Sequence, residues 1–279
     1  MNNFFEHIPA KGAICAHRGA RSIAPENTIL AFDMARQIGA HLLETDVQMT
    51  ADDQLVLFHD RSLRRTTNVG DHPAFAGRSG KALTSFTNKE LQLLDAGTWF
   101  LEEDPFNTVA RGDIELPMQE QIRSARIPLL GDLLKFCRVH NFPVNLEIKG
   151  KLPVKRAQRR LELLLDLLVA MDCQHLVLLS SFNHDELRRV KQRCPHLPTA
   201  ALTEFHHPDN LLEYLKDLQV EAYHPAENLI TAELLSLLRG HGIRVNTWTV
   251  NDHQRFAELA QLGVTFICSD WPQRVVAQG

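Results

Sequence analysis

The sequence predicts a (β/α)8 TIM barrel, an α/β fold, with a small subdomain inserted after its second strand. Three observations carry that expectation. Short β-rich runs alternate with helical patterns along the chain, the mark of parallel strands joined by helices. Eight such runs and about as many helices fit into 279 residues, the size of one barrel of this type. The stretch from Arg61 to about Arg126 breaks the alternation, being polar, rich in turn residues and only weakly periodic. A structureless loop of that length is rare in a compact domain, so 61–126 reads as an insertion over one mouth of the barrel. The whole chain, 1–279, is then a single barrel domain. A doubly wound open sheet is the alternative, but it usually has fewer strands, and the glycine-rich first turn of a dinucleotide fold is missing.

The elements follow in order. AICAH (13–17) is the first strand, apolar up to His17. NTILAFDMARQIG (27–39) is a helix with Asn27 as its N-cap and Gly39 just past its end. HLLETDVQM (41–49) is the second strand, and a turn signal at ADDQ returns 54–59 as a hairpin-like extension ending at His59. TNKELQLLDAG (87–97) supplies a short helix inside the insertion. LLGDLLKFCRVH (129–140) is a barrel helix and PVNLEIK (143–149) the third strand. VKRAQRRLELLLDLLVAMD (154–172) is a long helix whose apolar centre, 161–171, is interrupted by Asp166 and too short to span a bilayer. LVLLSSF (176–182) precedes HDELRRVKQRC (184–194), capped by Asn183. TAALT (199–203) precedes PDNLLEYLKDLQ (208–219), and EAYHP (221–225) precedes TAELLSLLRGHG (231–242), bounded by Thr231 and Gly242. RVNTWTV (244–250) precedes DHQRFAELAQLG (252–263), bounded by Asn251 and Gly263. TFICSD (265–270) is the last strand, and PQRVVAQ closes the chain.

Composition removes several function classes. A net charge of -4 argues against a non-specific nucleic-acid binder. The five cysteines, Cys15, Cys137, Cys173, Cys194 and Cys268, are scattered with no C-x-x-C, as in reduced thiols of a cytosolic protein. MNNFFEHIPAKG lacks a basic segment and a long apolar run, so no signal peptide is read, no integral membrane segment is expected, and the expected location is cytoplasmic. There is no P-loop, G-x-S-x-G elbow, H-E-x-x-H or H-x-H. Cys137 and His140 have a ligand-like spacing but no partners, and His206 and His207 read as surface or loop residues.

The chemistry collects at strand ends. Residues two apart in a strand point to one side, so Glu44 pairs with Asp46 and Glu147 with Lys149. In a barrel the C-terminal strand ends carry the active site. Three carboxylates meeting there repel one another unless a cation sits between them, and oxygen-only ligands favour one divalent Mg²⁺ or Ca²⁺. The plainer readings are a solvated strand face for Glu44 and Asp46 and an ion pair for Glu147 and Lys149. What sets them aside is collocation: all these charges follow apolar, buried runs. His17 and His59 then suggest an acid–base pair, and Arg18 with Lys149 suits a phosphate.

HRGARSIAPENT (17–28), ETDVQMTADDQLVLFHDRSLRRTTN (44–68), LEIK (146–149) and WTVN (248–251), in that order, resemble the glycerophosphodiester phosphodiesterases. LLDAGTWF, RIPLLGDLL and SSFN are weaker echoes, and the resemblance runs from about Ala13 to Asp270. It implies a (β/α)8 barrel with an insertion after the second strand. It implies that Glu44, Asp46 and Glu147 bind a divalent cation and that His17 and His59 are the catalytic acid and base. Arg18 and Lys149 would contact the phosphate, and Asn27, grouped with them, would support the metal shell. Trp248, with Phe182, would line the substrate cleft. The implied reaction is hydrolysis of small glycerophosphodiesters to glycerol 3-phosphate and an alcohol. A lysophospholipase D-like activity and a non-catalytic phosphate-binding barrel are the competing readings. The chain departs from the family pattern at NVGD (68–71), where many members carry Gly-x-Gly, and in the long stretch 100–126, both of which bear on substrate choice.

Overall fold

The structure is a computed structural model and describes residues 4–276. Its strands are β1 (Ala13–His17), β2 (Leu42–Met49), β3 (Leu55–Leu57), β4 (Val144–Ile148), β5 (Val177–Ser181), β6 (Thr199–Thr203), β7 (Ala222–Pro225), β8 (Arg244–Val245) and β9 (Phe266–Ser269). All but β3 are parallel and follow one another in the order β8-β7-β6-β5-β4-β2-β1-β9, a nearly closed eight-stranded barrel. β3 returns antiparallel along β2, as the hairpin-like extension requires. The helices are α1 (Ile29–Gln37), α2 (Asn88–Leu91), α3 (Thr98–Glu103), α4 (Leu116–Arg123), α5 (Leu130–His140), α6 (Val154–Ala170), α7 (His184–Arg193), α8 (Leu211–Leu218), α9 (Ala232–Gly240), α10 (His253–Leu262) and α11 (Pro272–Val276). Among the described residues, no helix is long and apolar enough to cross a membrane.

Alternation along the strands builds two cores. Outward residues such as Ile14, Ala16, Leu43, Val47, Val144 and Leu146 pack with the helix leucines into the main core. Inward residues Ala13, Cys15, Leu42, Leu178, Ala200, Ala222 and Phe266 form a second cluster inside the barrel, closed below by Phe4, Phe5 and Ile8. Further along the same inward rows come His17, Glu44, Asp46 and Glu147. The barrel interior is thus apolar at its floor and charged at its mouth, with period two carrying both rows.

The seam between β8 and β9 differs from the expected strand 244–250. Only Arg244–Val245 is regular. Pro225 has no N–H to offer its neighbour, and instead its carbonyl accepts from the Thr247 hydroxyl at 2.8 Å. The Asn246 side chain likewise accepts from the Phe266 N–H at 3.1 Å. The barrel closes through separate bonds: Thr247 N–H to the Phe266 carbonyl, Cys268 N–H to the Thr247 carbonyl and Val250 N–H to the Cys268 carbonyl.

Two expected caps move by one residue. Thr28, not Asn27, caps α1, and Asp252, not Asn251, caps α10. Both asparagine side chains are engaged elsewhere, with Asp46 and Asp270 respectively. Thr231 caps α9; Asn183 stands at the α7 cap position without a side-chain bond. Gly39, Gly242 and Gly263 end their helices in the left-handed region.

Between β3 and α5 the chain forms short helices and turns around two clusters apart from the barrel cores, the first sharing Val56 of β3 and the second touching Ile23 and Leu30. One holds Val56, Phe58, Val69, Phe75, Phe86 and Leu91, and the other Phe100, Ile114 and Ile122. The Thr108 hydroxyl donates to the Ser22 carbonyl at 2.8 Å and ties this segment to the barrel. Gly97 admits no side chain, since a Cβ there would lie 1.7 Å from the Ile122 carbonyl oxygen. Because Phe86 is fully buried in a core apart from the barrel's, Phe86→Ala should cost about 3–5 kcal/mol locally. Hydrogen exchange should quicken over 61–126 while β1, β2 and β4 stay protected; equal loss in both regions would contradict separate cores.

Candidate active site

The C-terminal ends of β1, β2 and β4 bring His17, Arg18, Glu44, Asp46, Glu147 and Lys149 together. Carboxylate oxygens of Glu44, Asp46 and Glu147 lie within 4.8 Å of one another. Glu44 and Asp46 are nearly sealed from solvent. Burial, then repulsion from Asp46 and Glu147, pushes the Glu44 carboxyl well above the usual carboxylate range. Burial and Asp46 push Glu147 up as well. For Asp46 burial acts in the same sense, but Arg18 and Lys149 outweigh it and hold this carboxyl well below its ordinary value. Arg18 Nε lies 3.3 Å from Asp46 Oδ2, and Lys149 Nζ lies 3.4 Å from Asp46 Oδ1 and 2.6 Å from Glu147 Oε1. Three buried oxygen donors sharing two cations are short of positive charge. That donor set fits one hard divalent cation.

Local backbone explains how Arg18 serves this cluster. Arg18 has φ 56° and Gly19 φ +84°, so the chain turns sharply as it leaves β1. A Cβ on Gly19 would lie 2.7 Å from that of Ala31, so only glycine lets the turn rest on α1. The turn aims the Arg18 N–H at Glu44 Oε2, 3.1 Å away.

Asn27 lies behind the carboxylates. Its amide donates to Asp46 Oδ2 at 2.9 Å, and its oxygen accepts from the Thr45 hydroxyl at 2.6 Å. With both ends engaged and the side chain buried, it braces Asp46 and leaves the cavity wall to other residues. The cavity, about 170 Å³, is bordered by His17, Glu44, His59, Lys149, Phe182 and Trp248 among others. Phe182 and Trp248 meet edge to face at 5.5 Å, and Lys149 Nζ sits 5.8 Å from the Phe182 ring. Deeper in the cavity, Asn145 Oδ1 and Ser180 Oγ are buried without hydrogen-bond partners.

Both histidines are held by carboxylates. His17 Nδ1 lies 2.6 Å from Asp270 Oδ1, and His59 Nδ1 lies 2.6 Å from Asp60 Oδ1. Burial and the Arg18 charge lower the His17 pKa, opposed by Asp270. The sequence reading missed Asp60, Asp270 and Glu26. Asp270 ends a strand as the other site charges do, and that position was the available signal. Glu26 stands in PENT beside the singled-out Asn27, but no spacing rule joins it to arginines. His206 and His207 lie in the loop after β6, where His207 meets the Tyr223 hydroxyl at 2.9 Å. Cys137 is buried in the main core.

A barrel whose mouth gathers carboxylates, imidazoles and two cations is built for hydrolysis of an anionic ester. Comparison with known proteins narrows that class. The profile of the glycerophosphoryl diester phosphodiesterase family matches residues 17–274. The chain is 32% identical over 270 residues to a glycerophosphodiester phosphodiesterase of Caldanaerobacter subterraneus subsp. tengcongensis, covering 95% of this chain and 97% of the relative. It is 31% identical over 271 residues to one of Bacillus altitudinis, covering 94% and 96%. A phosphodiesterase of Oleispira antarctica, solved with its product sn-glycerol-3-phosphate, has the same fold with a TM-score of 0.80 at 24% identity over the whole of both chains. The chain belongs to the glycerophosphoryl diester phosphodiesterase family, a family of hydrolases.

The carboxylate cluster carries a prediction that needs no substrate. Glu44→Gln fixes the uncharged state toward which burial and its neighbours drive Glu44, so folding no longer bears the cost of a buried charge there, and its oxygen can still accept from the Arg18 N–H. The metal-free variant should therefore melt higher than the metal-free wild type. Mg²⁺ or Ca²⁺ at about 100 times its Kd should stabilise the wild type by about 2.7 kcal/mol and the variant far less. Equal shifts in a thermal melt would remove the cluster from cation binding.

Proposed function

We propose that the protein hydrolyses glycerophosphodiesters to glycerol 3-phosphate and an alcohol, with His17 and His59 as acid and base. The observation that carries this reading is the meeting of Arg18 and Lys149 with the carboxylate cluster beside two histidines, each fixed through Nδ1. Arg18 and Lys149 would bind the phosphate, which suits a guanidinium and an ammonium. Glu44, Asp46 and Glu147 would hold one divalent cation, Mg²⁺ or Ca²⁺, which when bound withdraws charge from the phosphate and acidifies a nearby hydroxyl. A carboxylate accepts hydrogen bonds, so Asp270 and Asp60 would keep the proton of each neutral ring on Nδ1 and leave Nε2 unprotonated, that of His17 lying 3.9 Å from Glu44 Oε2. One Nε2 takes the proton of the attacking oxygen, from a substrate hydroxyl or from water. The other ring, protonated, gives a proton to the departing alcohol oxygen. Phe182 and Trp248 would line the alcohol side, and the unpartnered Asn145 and Ser180 atoms suit the hydroxyls of a polyol.

A second reading, lysophospholipid cleavage, is favoured by Phe182, an aromatic ring 42% exposed at the mouth. All five cysteines are free thiols, which supports the cytoplasmic reading.

Purified protein should release glycerol 3-phosphate from glycerophosphocholine. Release should stop with EDTA and return with Mg²⁺ or Ca²⁺. His17→Ala and His59→Ala should each lower the rate by about 10²–10⁴-fold. Wild-type turnover in either variant overturns the assignment. Cleavage of lysophosphatidylcholine alone would favour the second reading, and inactivity on both the binding barrel.

A further inference from the structure

We propose that Glu26 is the positioning residue that sets both histidines at once. The inference rests on His17 and His59 being the acid and base proposed above.

The two rings are held by matching arms. Asp270, which receives His17 Nδ1, is contacted by Arg21 Nη1 at 3.3 Å. Asp60, which receives His59 Nδ1, accepts from Arg65 Nε at 2.7 Å and from Nη2 at 3.0 Å. Both arginines end on the same carboxylate. Arg21 Nη2 donates to Glu26 Oε2 at 2.7 Å, while Arg65 Nη1 and Nη2 donate to Oε2 at 3.0 Å and Oε1 at 2.6 Å. Arg18 Nη1, whose backbone holds Glu44, donates to Oε1 at 3.0 Å.

One buried carboxylate therefore accepts from three guanidiniums drawn from two separate chain segments. Asp270 comes from a third, 253 residues from His17. Arg21 and Arg65 serve Glu26, Asp60 and Asp270, and Arg18 is shared between Glu26 and Asp46. Glu26 is 7% exposed, so its bonds are little screened by solvent. The three arginines hold its carboxyl down at about 2 against the opposing effect of burial. Without Glu26 the three guanidiniums would lose the one carboxylate they share. Arg21 and Arg65 would lose their fixed ends, Asp60 its Arg65 anchor and Asp270 one of two, the Asn251 amide still donating to it at 2.9 Å. Second-sphere partners of this kind are worth about 10–100-fold in activity where measured.

The test uses Glu26→Gln, which keeps the shape and removes the charge. In substrate-free protein labelled with ¹⁵N-histidine, His17 and His59 are assigned through His17→Asn and His59→Asn. Wild type should show the Nδ1–H tautomer at both, and Glu26→Gln should move both toward a mixture while kcat falls about 10–100-fold. Unmoved signals, or a shift at only one ring, would overturn the proposal. A cycle with Arg21→Met and Arg65→Met gives an independent reading, and decides alone should Glu26→Gln not fold. If both act through Glu26, the double variant's kcat should depart from the product of the single effects by more than about threefold. Independent effects would overturn the coupling. The nuclear magnetic resonance readout needs no substrate. A wild type with fixed tautomers but no phosphodiesterase activity would sink the proposed function without touching this test.

Discussion

Three carboxylates pressed together at the mouth of a barrel are the constraint on which the rest of the site depends. Glu44, Asp46 and Glu147 gain nothing from one another, and two of them carry raised pKa values in consequence. Each surrounding feature answers that repulsion. Arg18 is turned back by a left-handed backbone to meet Glu44 and Asp46. Lys149 bridges Asp46 and Glu147. Asn27 gives up its helix-capping role to donate to Asp46. The folding free energy comes from elsewhere, from the leucine-rich contacts between strands and helices and from the apolar floor closed by Phe4 and Phe5. Stability and reactivity are built into opposite ends of the same inward rows.

Much of this was legible in the sequence because barrels translate period two directly into inside and outside. Glu44 and Asp46 stand two apart, as do Glu147 and Lys149, and their strand-end positions put them at one mouth. The hairpin that returns to His59 was equally readable from a turn followed by an apolar run. What failed was local competition for side chains. Asn27 and Asn251 look like caps because asparagine caps helices well, yet each is bound to an aspartate that lies far away in sequence. The 244–250 run looks like a full strand, and only the neighbouring proline explains why its ladder breaks. Glu26 and Asp270 were missed for a related reason. Their partners are fixed by three-dimensional closure, and no periodicity joins residue 26 to residue 65 or residue 17 to residue 270.

The segment after β3 is more than an appendage on a finished barrel. It has hydrophobic clusters apart from the barrel cores, but its first residues reach into the site. His59 and Asp60 stand at its root, and Arg65 runs from it to the buried Glu26. The Arg65 guanidinium also lies 6.0 Å from the Trp99 ring within the segment. Residues 68–71 and 100–126 fall in this segment, away from the carboxylate strands.

The contact between His17 and Asp270 joins the first strand to the last. A chain emerging from the ribosome presents His17, Glu44 and His59 long before residue 270 exists. Until then the seam beside β1 is open and the first imidazole has no carboxylate behind it. The first imidazole therefore gains this carboxylate partner only when the first strand closes against the last.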